Sequence, residues 1–420
     1  MKSTENKGRL VSNKLICFII ACTLFTDYKI GEIKIGEFVL LGTLLLYPFL
    51  FGKIQNSYVL IILFFGILTM LSMLQTSRIE LFYPDGIPVL KKPYIYPLSK
   101  FIEIVLGLVF AAAVHEKLKN VSLPVLDEFV QRLTKYLLII FYGLASVWLL
   151  VQMGFLASES SVVVQWDNLR LKGFFVEGGP FGLFMLTVLI LNFCSGAEKF
   201  TPGFCFHALA IVVTTQSKAG FLFMFVFFSW YLINRHYRRY KVFIAGVSII
   251  VLALGAWATY EYSSGYREAF ENTEEKAKGP AKHDGAFAMG RIPAMTQIIP
   301  NIVKNNWAFG VGMFNYPFVR DNPVYRGYWE KAPAFGDLPG LGFLVEVLYG
   351  AGIAGLFFYL LLLYIIWKRK IHGRQSAVFF VLFMLLNMAG ISLTFAYPWL
   401  LLALALLYSN AYKKEYETSY

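Results

Sequence analysis

Residues 57–75 read SYVLIILFFGILTMLSMLQ and contain no charged side chain. A helix needs about 20 consecutive apolar residues to cross the hydrocarbon core of a bilayer. Backbone N–H and C=O groups find no partner in lipid, so a stretch of this kind folds as a helix that bonds its own backbone. The stretch therefore predicts a transmembrane helix, and the rest of the chain follows the same pattern.

The apolar character of residues 57–75 extends over the whole chain. Of its 420 residues, 57% are hydrophobic and 15% are charged, whereas soluble domains carry about 25% charged residues. We read about twelve spans, at 15–26, 36–51, 57–75, 98–114, 136–156, 180–195, 203–216, 219–233, 242–260, 340–367, 375–394 and 396–411. The sequence therefore predicts an all-α polytopic membrane protein in which residues 1–420 form a single integral membrane domain.

Lysine and arginine residues concentrate in alternate loops. They lie at the start of the chain, in loops 115–135 and 234–241, just after the span at 340–367, and in the C-terminal tail. When the polar residues 214–218 separate two short spans, all of these loops fall on one side of the membrane. Because cytoplasmic loops are rich in lysine and arginine, both termini are predicted in the cytoplasm. The same bias explains the net charge of +12, so we predict no nucleic-acid partner.

One long loop, residues 261–339, is predicted on the outer side between the ninth and tenth spans. Loops of this length without a function are uncommon. From Gly290 onward, aromatic residues recur beside glycine and proline, which indicates ordered structure. No internal repeat is evident in the sequence, and this argues against a transporter built from inverted repeats.

Two outer segments near the middle of the chain place cations among glycines. The first, at 167–180, reads DNLRLKGFFVEGGP, and an extended backbone there would put Arg170 and Lys172 on one face. The second, at 217–220, reads SKAG, and its Lys218 interrupts an apolar run. A cation within the membrane is a functional candidate because it needs an anion or water. The alternatives are an amphipathic loop near lipid headgroups and a lysine that snorkels to the interface.

The third outer segment lies in the long loop. It begins with GRIP at 290–293, continues through an amphipathic stretch, and reaches WAFGVGMFNY at 307–316. Arg291 heads the segment and Arg320 follows it. Arginine forks bind phosphate oxygens in pairs, and lysine supplies a point charge. With the cations of the first two segments, they would suit a pyrophosphate held at the membrane surface.

The sequence carries no motif for a metal or a cofactor. The outer side has no Asp-x-Asp pair and no cluster of metal-ligating residues. Cys17, Cys22, Cys194 and Cys205 all lie in apolar stretches, which is typical of small packing residues and not of a disulfide framework. We therefore predict a transfer reaction that uses neither.

The order of these motifs resembles that of the O-antigen polymerase and O-antigen ligase superfamily. The similarity rests on LRLKGFF at 169–175 followed by GPFG at 179–182, on TQSKAG at 215–220, on GR at 290–291 with WAFGVGMFN at 307–315, and on EVLYGAGIAGL at 346–356. These pieces follow the order of the family. The resemblance implies an all-helical membrane fold of the C type of glycosyltransferase.

Enzymes of this superfamily take a sugar chain from undecaprenyl pyrophosphate and pass it to an acceptor on the outer face of the bacterial inner membrane. The resemblance implies the same reaction here, with a chain-length regulator as a further partner. Arg170, Lys218 and Arg291 match basic positions that the family uses for the lipid pyrophosphate. Lys218 stands where the family commonly has arginine.

The ligase branch of the superfamily usually has a His-Asn pair opening the span after the long loop. Here that place, near Leu341, reads PGLG at 339–342. The polymerase branch is therefore favoured, with a ligase as the alternative and a transporter or flippase of lipid-linked sugars as the second alternative. A flippase would carry charges deep inside several spans, whereas charge here concentrates at the outer surface apart from Lys218.

The acceptor hydroxyl must lose a proton, and a carboxylate or histidine is the usual helper. The outer carboxylates near the motifs are Glu177, Asp321 and Asp337. Asp337 is preferred because it is close in sequence to the place where the ligase branch keeps its histidine, and Glu177 comes second. Both, with Arg291, are the predicted catalytic residues. The alternatives are salt bridges to the same arginines and a mechanism without a protein base.

Overall fold

The computed structural model describes residues 2–25, 29–30, 33–50, 53–157, 162–165, 169–175, 177–195, 201–235, 291–327, 329, 331 and 340–418. Three predictions lie outside these residues. They are the ninth span at 242–260, the part of the outer loop before Arg291, and the catalytic role of Asp337.

Helices dominate the described residues. The long ones are α1 (Lys2–Leu24), α2 (Ile35–Leu50), α3 (Asn56–Thr76), α4 (Ile95–Leu118), α5 (Leu123–Gln152), α6 (Gly178–Ser195), α7 (Pro202–Thr215) and α8 (Lys218–Arg235). Within the predicted outer loop lie the short α9 (Arg291–Pro293), α10 (Ile299–Asn305), α11 (Tyr316–Val319) and α12 (Pro323–Arg326), and after it come α13 (Phe343–Lys370), α14 (Arg374–Met388) and α15 (Ala396–Thr418).

The remaining regular structure is small. A π-helical turn, Ala294–Ile298, joins α9 to α10, and a 3-10 turn covers Val89–Lys91. Strands β1 (Lys29–Ile30) and β2 (Ile33–Lys34) form a short antiparallel pair. The prediction of a helical chain is confirmed in its class, because strands contribute so little.

The lengths of the helices agree with a membrane protein. Helices α3, α4, α5, α6 and α13 are each long and apolar enough to cross a bilayer. Shorter apolar stretches lie in α1, α2, α7, α8 and α14. Every predicted span other than 242–260 coincides with a helix. The protein is therefore a multi-pass, all-α membrane protein, and the total of twelve spans stays a prediction.

Helix α5 corrects the predicted loop 115–135. The helix begins at Leu123, so the connection from α4 shrinks to residues 119–122. Its first buried residues are Leu126, Phe129, Val130 and Leu133. This spacing puts them on one helix face, while the charged residues of the segment occupy other positions. The segment reads as a loop because its composition is polar, although its period is that of a helix.

The chain folds into two compact units, each built from separated stretches. Unit 1 draws its described residues from Met1–Gly66, Ser99–Met224 and Tyr359–Tyr420. Unit 2 draws them from Ile67–Leu98 and Phe225–Phe358. The single integral domain over 1–420 stays a prediction.

Helix α6 is the central helix of unit 1. It packs against α5, α7 and α14, and 83% of it is buried inside the protein. Its sequence is apolar on all sides, as a helix surrounded by other helices requires. The residues at its first turn are therefore held in place by the core of the unit.

The core of unit 2 forms around the stretch that Arg291 heads. Its buried members are Ala294, Ile298, Ile299, Ile302, Val311, Tyr316, Val319, Tyr325 and Tyr349. They come from the π-helical turn, from α10, α11 and α12, from the segment between α10 and α11, and from the first turns of α13. Residues 291–327 are therefore ordered, as the aromatic residues beside glycine and proline predict, and their position on the outer side stays a prediction.

Candidate functional site

Arg170 and Lys172 lie on an extended segment of unit 1. Leu171 pairs with Val164 in an antiparallel bridge, Gln165 N–H donates to Arg170 C=O at 2.8 Å, and Lys172 N–H donates to Val163 C=O at 2.9 Å. Leu171 is fully buried, whereas its two neighbours are only half-buried. The predicted alternation of cations around an apolar residue is therefore present.

This extended segment is anchored to two helices. Trp148 Nε1 of α5 donates to Leu169 C=O at 2.7 Å. Leu171 N–H donates to Thr214 C=O at 2.9 Å, in the last turn of α7. Because the last carbonyls of a helix have no intrahelical partner, the segment satisfies one of them. Arg170 is thereby fixed beside the junction between α7 and α8.

The junction itself is the break predicted at 214–218. Helix α7 ends in Gln216, whose backbone is left-handed with φ 49° and ψ 37°. Arg170 Nε donates to Gln216 Oε1 at 3.3 Å. The amide partner carries no charge, so this hydrogen bond adds no counter-ion beside Arg170. Lys218 follows at the first position of α8 and is exposed.

Ser217 ties the start of α8 to the start of α6. Its Oγ accepts from Gly220 N–H at 3.1 Å and donates to Gly179 C=O at 2.7 Å. The first bond caps α8 and the second fixes α6 beside it. The junction therefore brings together the amino-terminal ends of two helices, each of which carries a partial positive charge.

Glycines make this approach possible. A Cβ on Gly178 would lie 2.8 Å from Thr215 O and 2.9 Å from Leu171 O, both backbone atoms. A Cβ on Gly182 would overlap Thr215 Oγ1, and one on Gly220 would lie 2.8 Å from Leu186 Cδ1. Gly178, Gly182 and Gly220 are thus required for packing the extended segment, α6 and the junction together.

The result is a cationic group in unit 1, which we call the junction site. It comprises Arg170, Lys172 and Lys218 with the first turns of α6 and α8. Glu177 directly precedes α6 and is exposed, and it is the one carboxylate among the described residues of the segment 167–180. Guanidinium and ammonium groups beside helix amino termini are suited to phosphate oxygens.

Unit 2 contains a second helix break, inside α13. Gly352 has φ 67° and ψ −169°, which no α-helical residue adopts. The break leaves backbone groups of α13 without intrahelical partners. Backbone groups of the segment 307–312 are their hydrogen-bond partners. Val311 N–H donates to Tyr349 C=O at 3.0 Å and Gly312 N–H to Gly350 C=O at 2.7 Å. Ile353 N–H in turn donates to Trp307 C=O at 2.8 Å.

The Gly-x-Gly motif therefore pairs with the last motif of the sequence. A Cβ on Gly350 would lie 2.9 Å from Met313 Cα, and one on Gly310 or Gly352 would overlap backbone atoms. Asn315 fixes the end of the segment, because its Nδ2 donates to Thr76 Oγ1 at 2.8 Å and to Val311 C=O at 3.0 Å. We call this arrangement the paired break.

The two predicted arginines of unit 2 occupy different environments. Arg291 is exposed at the head of the stretch that leads to α10. Arg320 is only 2% exposed, and its Nε lies 4.0 Å from Asp321 Oδ2. Burial raises the pKa of the neighbouring Tyr316 hydroxyl, an effect that Arg320 opposes and Asp321 reinforces. The contacts of Arg320 are thus with the interior of the unit, whereas Arg291 can meet a ligand.

One buried carboxylate is not among the candidate site residues predicted from the sequence. Glu346 lies in the first turn of α13, four residues before Gly350, and is only 1% exposed. A charged residue in an otherwise apolar span is the signal that could have identified it. Among the predicted bases, Glu177 lies beside the junction site and Asp337 lies outside the described residues. Both stay predictions.

The later motifs, from TQSKAG at 215–220 onward to residue 336, lie in a stretch that matches a known family. Residues 203–336 match the family model described as O-antigen ligase. The match contains Lys218, Arg291 and Arg320; Arg170, Lys172 and Glu177 precede it, and Asp337 follows it directly. No curated protein matches the chain. The resemblance to the O-antigen polymerase and ligase superfamily is therefore confirmed over this segment.

Proposed function

We propose that the protein polymerises a bacterial surface polysaccharide, such as an O-antigen or a related capsular chain. It would transfer the growing glycan from undecaprenyl pyrophosphate to the next lipid-linked repeat unit. The observation that carries the proposal is the junction site. There the segment with Arg170 and Lys172 packs against the junction that carries Lys218 and against the first turn of α6, on motifs that resemble a glycan-transferring superfamily. The membrane is the bacterial inner membrane, with both termini cytoplasmic and the junction site outside.

The reaction divides into two demands on the protein. The bond between the anomeric carbon of the donor glycan and its phosphate oxygen breaks, and the lipid pyrophosphate leaves with an added negative charge. Arg170, Lys172 and Lys218 would stabilise that charge, an effect that fixed charges achieve without reorganisation. The resemblance carries over Arg291 as a further cation for the pyrophosphate. No metal is required in this scheme.

The acceptor hydroxyl forms the new bond to the anomeric carbon and loses its proton. A positioned carboxylate contributes roughly 10²- to 10⁴-fold to such a step. Asp337 is the preferred base and Glu177 the second, as the sequence suggests. Asp337→Asn retains the size of the side chain and removes its charge. A deep loss of polymer at normal protein level supports Asp337, while activity within a few-fold of wild type directs the assignment to Glu177 or to a reaction without a base.

A ligase is the second candidate function, and the description of the matching family model favours it. A ligase would pass the finished chain to lipid A core. The sequence PGLG at 339–342 has no histidine where the ligase branch usually has one. That difference is the reason for placing the polymerase first.

Gel analysis of surface polysaccharide in a deletion strain separates the candidates. One repeat unit per lipid indicates a lost polymerase. Uncapped lipid A core with accumulated lipid-linked polymer indicates a lost ligase. Lipid-linked repeat units retained on the cytoplasmic side indicate a lost flippase and would overturn the proposed transfer reaction.

Complementation with variants connects the phenotype to the junction site. Lys218→Ala should fail to restore polymer, and Lys218→Arg should restore it, because the family commonly has arginine there. Lys304→Ala is the matched control, since Lys304 is an exposed cation on α10 outside every predicted site. Equal polymer in the Lys218→Ala and Lys304→Ala strains would contradict the role of the site.

A further inference from the structure

Unit 1 contains a cavity at the end opposite to the junction site. Helix α5 connects the two. It begins three residues after Asn120, which lines the cavity, and its last residue, Gln152, donates a hydrogen bond to Leu169 C=O next to Arg170. A helix the length of α5, Leu123–Gln152, extends about 45 Å. The cavity has a volume of about 300 Å³ and lies where α4 ends and α3 begins.

Cations and amides line this cavity. The cations are Lys119, Lys413 and Lys414, and the amides are Gln55, Asn120 and Asn410. Glu417 is the one acidic lining residue of the described chain. Ammonium groups and amide N–H groups are donors, so the lining is suited to a ligand rich in acceptor oxygens.

Two of the amides are positioned by a buried histidine. His115 is 1% exposed, and its Nε2 lies 2.7 Å from Gln55 Nε2 and 3.2 Å from Asn410 Nδ2. Its Nδ1 lies 3.4 Å from the Tyr58 hydroxyl. Each side-chain amide has two N–H bonds, so an amide that bonds the histidine can also donate into the cavity.

The lysines are held at the rim. Lys414 Nζ donates to Lys119 C=O at 3.0 Å and to Asn120 Oδ1 at 3.1 Å. Lys119 forms an ion pair with Glu116, one turn back on α4. These contacts restrict the ammonium groups before any ligand arrives, which reduces the entropy lost on binding.

The position of the cavity identifies the class of ligand. Gln55 directly precedes α3, Lys119 and Asn120 directly follow α4, and the other lining residues lie on α15. Since α3 and α4 are long and apolar enough to span a bilayer, we expect the cavity at their ends to lie at the depth of the headgroups. The basic loops predict that this is the cytoplasmic face, and basic pockets at that face bind anionic headgroups. We infer that the cavity binds a phosphate-bearing anion and that its source is an anionic phospholipid of the same leaflet. The inference is independent of the proposed glycan transfer.

The test compares lipid binding by wild-type protein and two double variants. Lys413→Ala with Lys414→Ala removes two cations of the cavity. Lys368→Ala with Arg369→Ala removes the same charge from the exposed end of α13, outside the cavity. The probe is phosphatidylglycerol, titrated into detergent-solubilised protein against phosphatidylcholine and followed by native mass spectrometry. We expect the first pair to weaken phosphatidylglycerol binding roughly 30-fold and the second pair to leave it within a few-fold.

A second arm distinguishes the lipid from a soluble anion. Inorganic phosphate and pyrophosphate are titrated with the same proteins, and thermal stability is recorded. Stabilisation of wild type but not of the Lys413 and Lys414 variant by phosphate alone, with no effect of phosphatidylglycerol, would retain the anion site and overturn the lipid as its source. If wild type and both double variants bind every probe equally, the inference fails.

Discussion

The junction site of unit 1 and the paired break of unit 2 solve the same physical problem with different side chains. In each, a helical run is interrupted and a neighbouring non-helical segment bonds the exposed backbone. Leu171 N–H reaches the end of α7 in the first, and the segment 307–312 reaches both sides of Gly352 in the second. An interruption in an apolar segment is tolerated only where neighbouring protein satisfies its backbone groups.

The difference lies in what surrounds the two breaks. Arg170, Lys172 and Lys218 surround the junction site, and none of them is buried. The paired break is surrounded by glycines, Met313 and the buried amide of Asn315. The junction site can bind an anion, whereas the paired break fixes the backbone through close packing and hydrogen bonds. We therefore expect damage to the paired break to reduce stability and damage to the junction site to reduce activity.

Gly352→Ala should produce the largest effect on folding. The backbone of Gly352 lies in a region that essentially only glycine adopts, and a residue with a Cβ there costs about 1 to 3 kcal/mol. Overpacking in a tight core adds about 1 to 3 kcal/mol. The loss should appear as a lower thermal midpoint and less monodisperse protein in detergent. Gly143→Ala is the control, because its helical site has open space. A wild-type midpoint for Gly352→Ala would show that the paired break does not carry the stability of unit 2.

Arg170→Ala and Lys218→Ala should remove activity while leaving the protein level normal. A charge-assisted hydrogen bond to phosphate contributes about 1.5 to 3 kcal/mol. If that stabilisation arises mainly in the transition state, each loss lowers the rate roughly 10- to 150-fold. Chain-length distribution on gels and the thermal midpoint are measured together. A fall in the midpoint equal to that of Gly352→Ala would remove the contrast between the two breaks.

Arg291→Ala and Arg320→Ala should separate the two arginines of unit 2. Arg291 is exposed, so its loss should reduce activity roughly 10- to 150-fold at normal protein level. Arg320 is 2% exposed and lies beside Asp321, so its loss leaves a carboxylate without its cation and should reduce stability. Wild-type chain lengths in the Arg291→Ala strain would contradict the proposed contact with pyrophosphate.

Some features of the two breaks could be read from the sequence and others could not. The polar residues 214–218 predict the junction, because burying a charged residue such as Lys218 within a span costs free energy. Gly352 gives no such signal, since glycine is common in membrane helices. The predicted span at 340–367 therefore agrees with α13 in its bounds but misses the break inside it. The break depends on hydrogen bonds to the segment 307–312, which is more than thirty residues away in sequence.

The same limit applies to individual side chains. Arg170 could be identified as a ligand candidate from its neighbours, because alternation sets which side of an extended segment it occupies. The burial of Arg320 depends on contacts between distant segments, and no local pattern reports it. Helix α5 shows the opposite case, since a careful count of its period would have corrected the predicted loop 115–135.

Gln216 should give the smallest effect and the finest test of the junction. It bonds Arg170 through its side chain and ends α7 through its left-handed backbone, with φ 49°. Loss of the hydrogen bond removes about 0.5 to 1.5 kcal/mol of positioning, which corresponds to roughly 2- to 12-fold in rate. Gln216→Ala removes the hydrogen bond and leaves the strained backbone, whereas Gln216→Gly removes the bond and relieves the strain. Equal losses of polymer in both variants would assign the effect to the contact with Arg170. Recovery of polymer in Gln216→Gly would assign the effect to the turn. The junction site would then depend on its backbone conformation more than on its charges, as the paired break does.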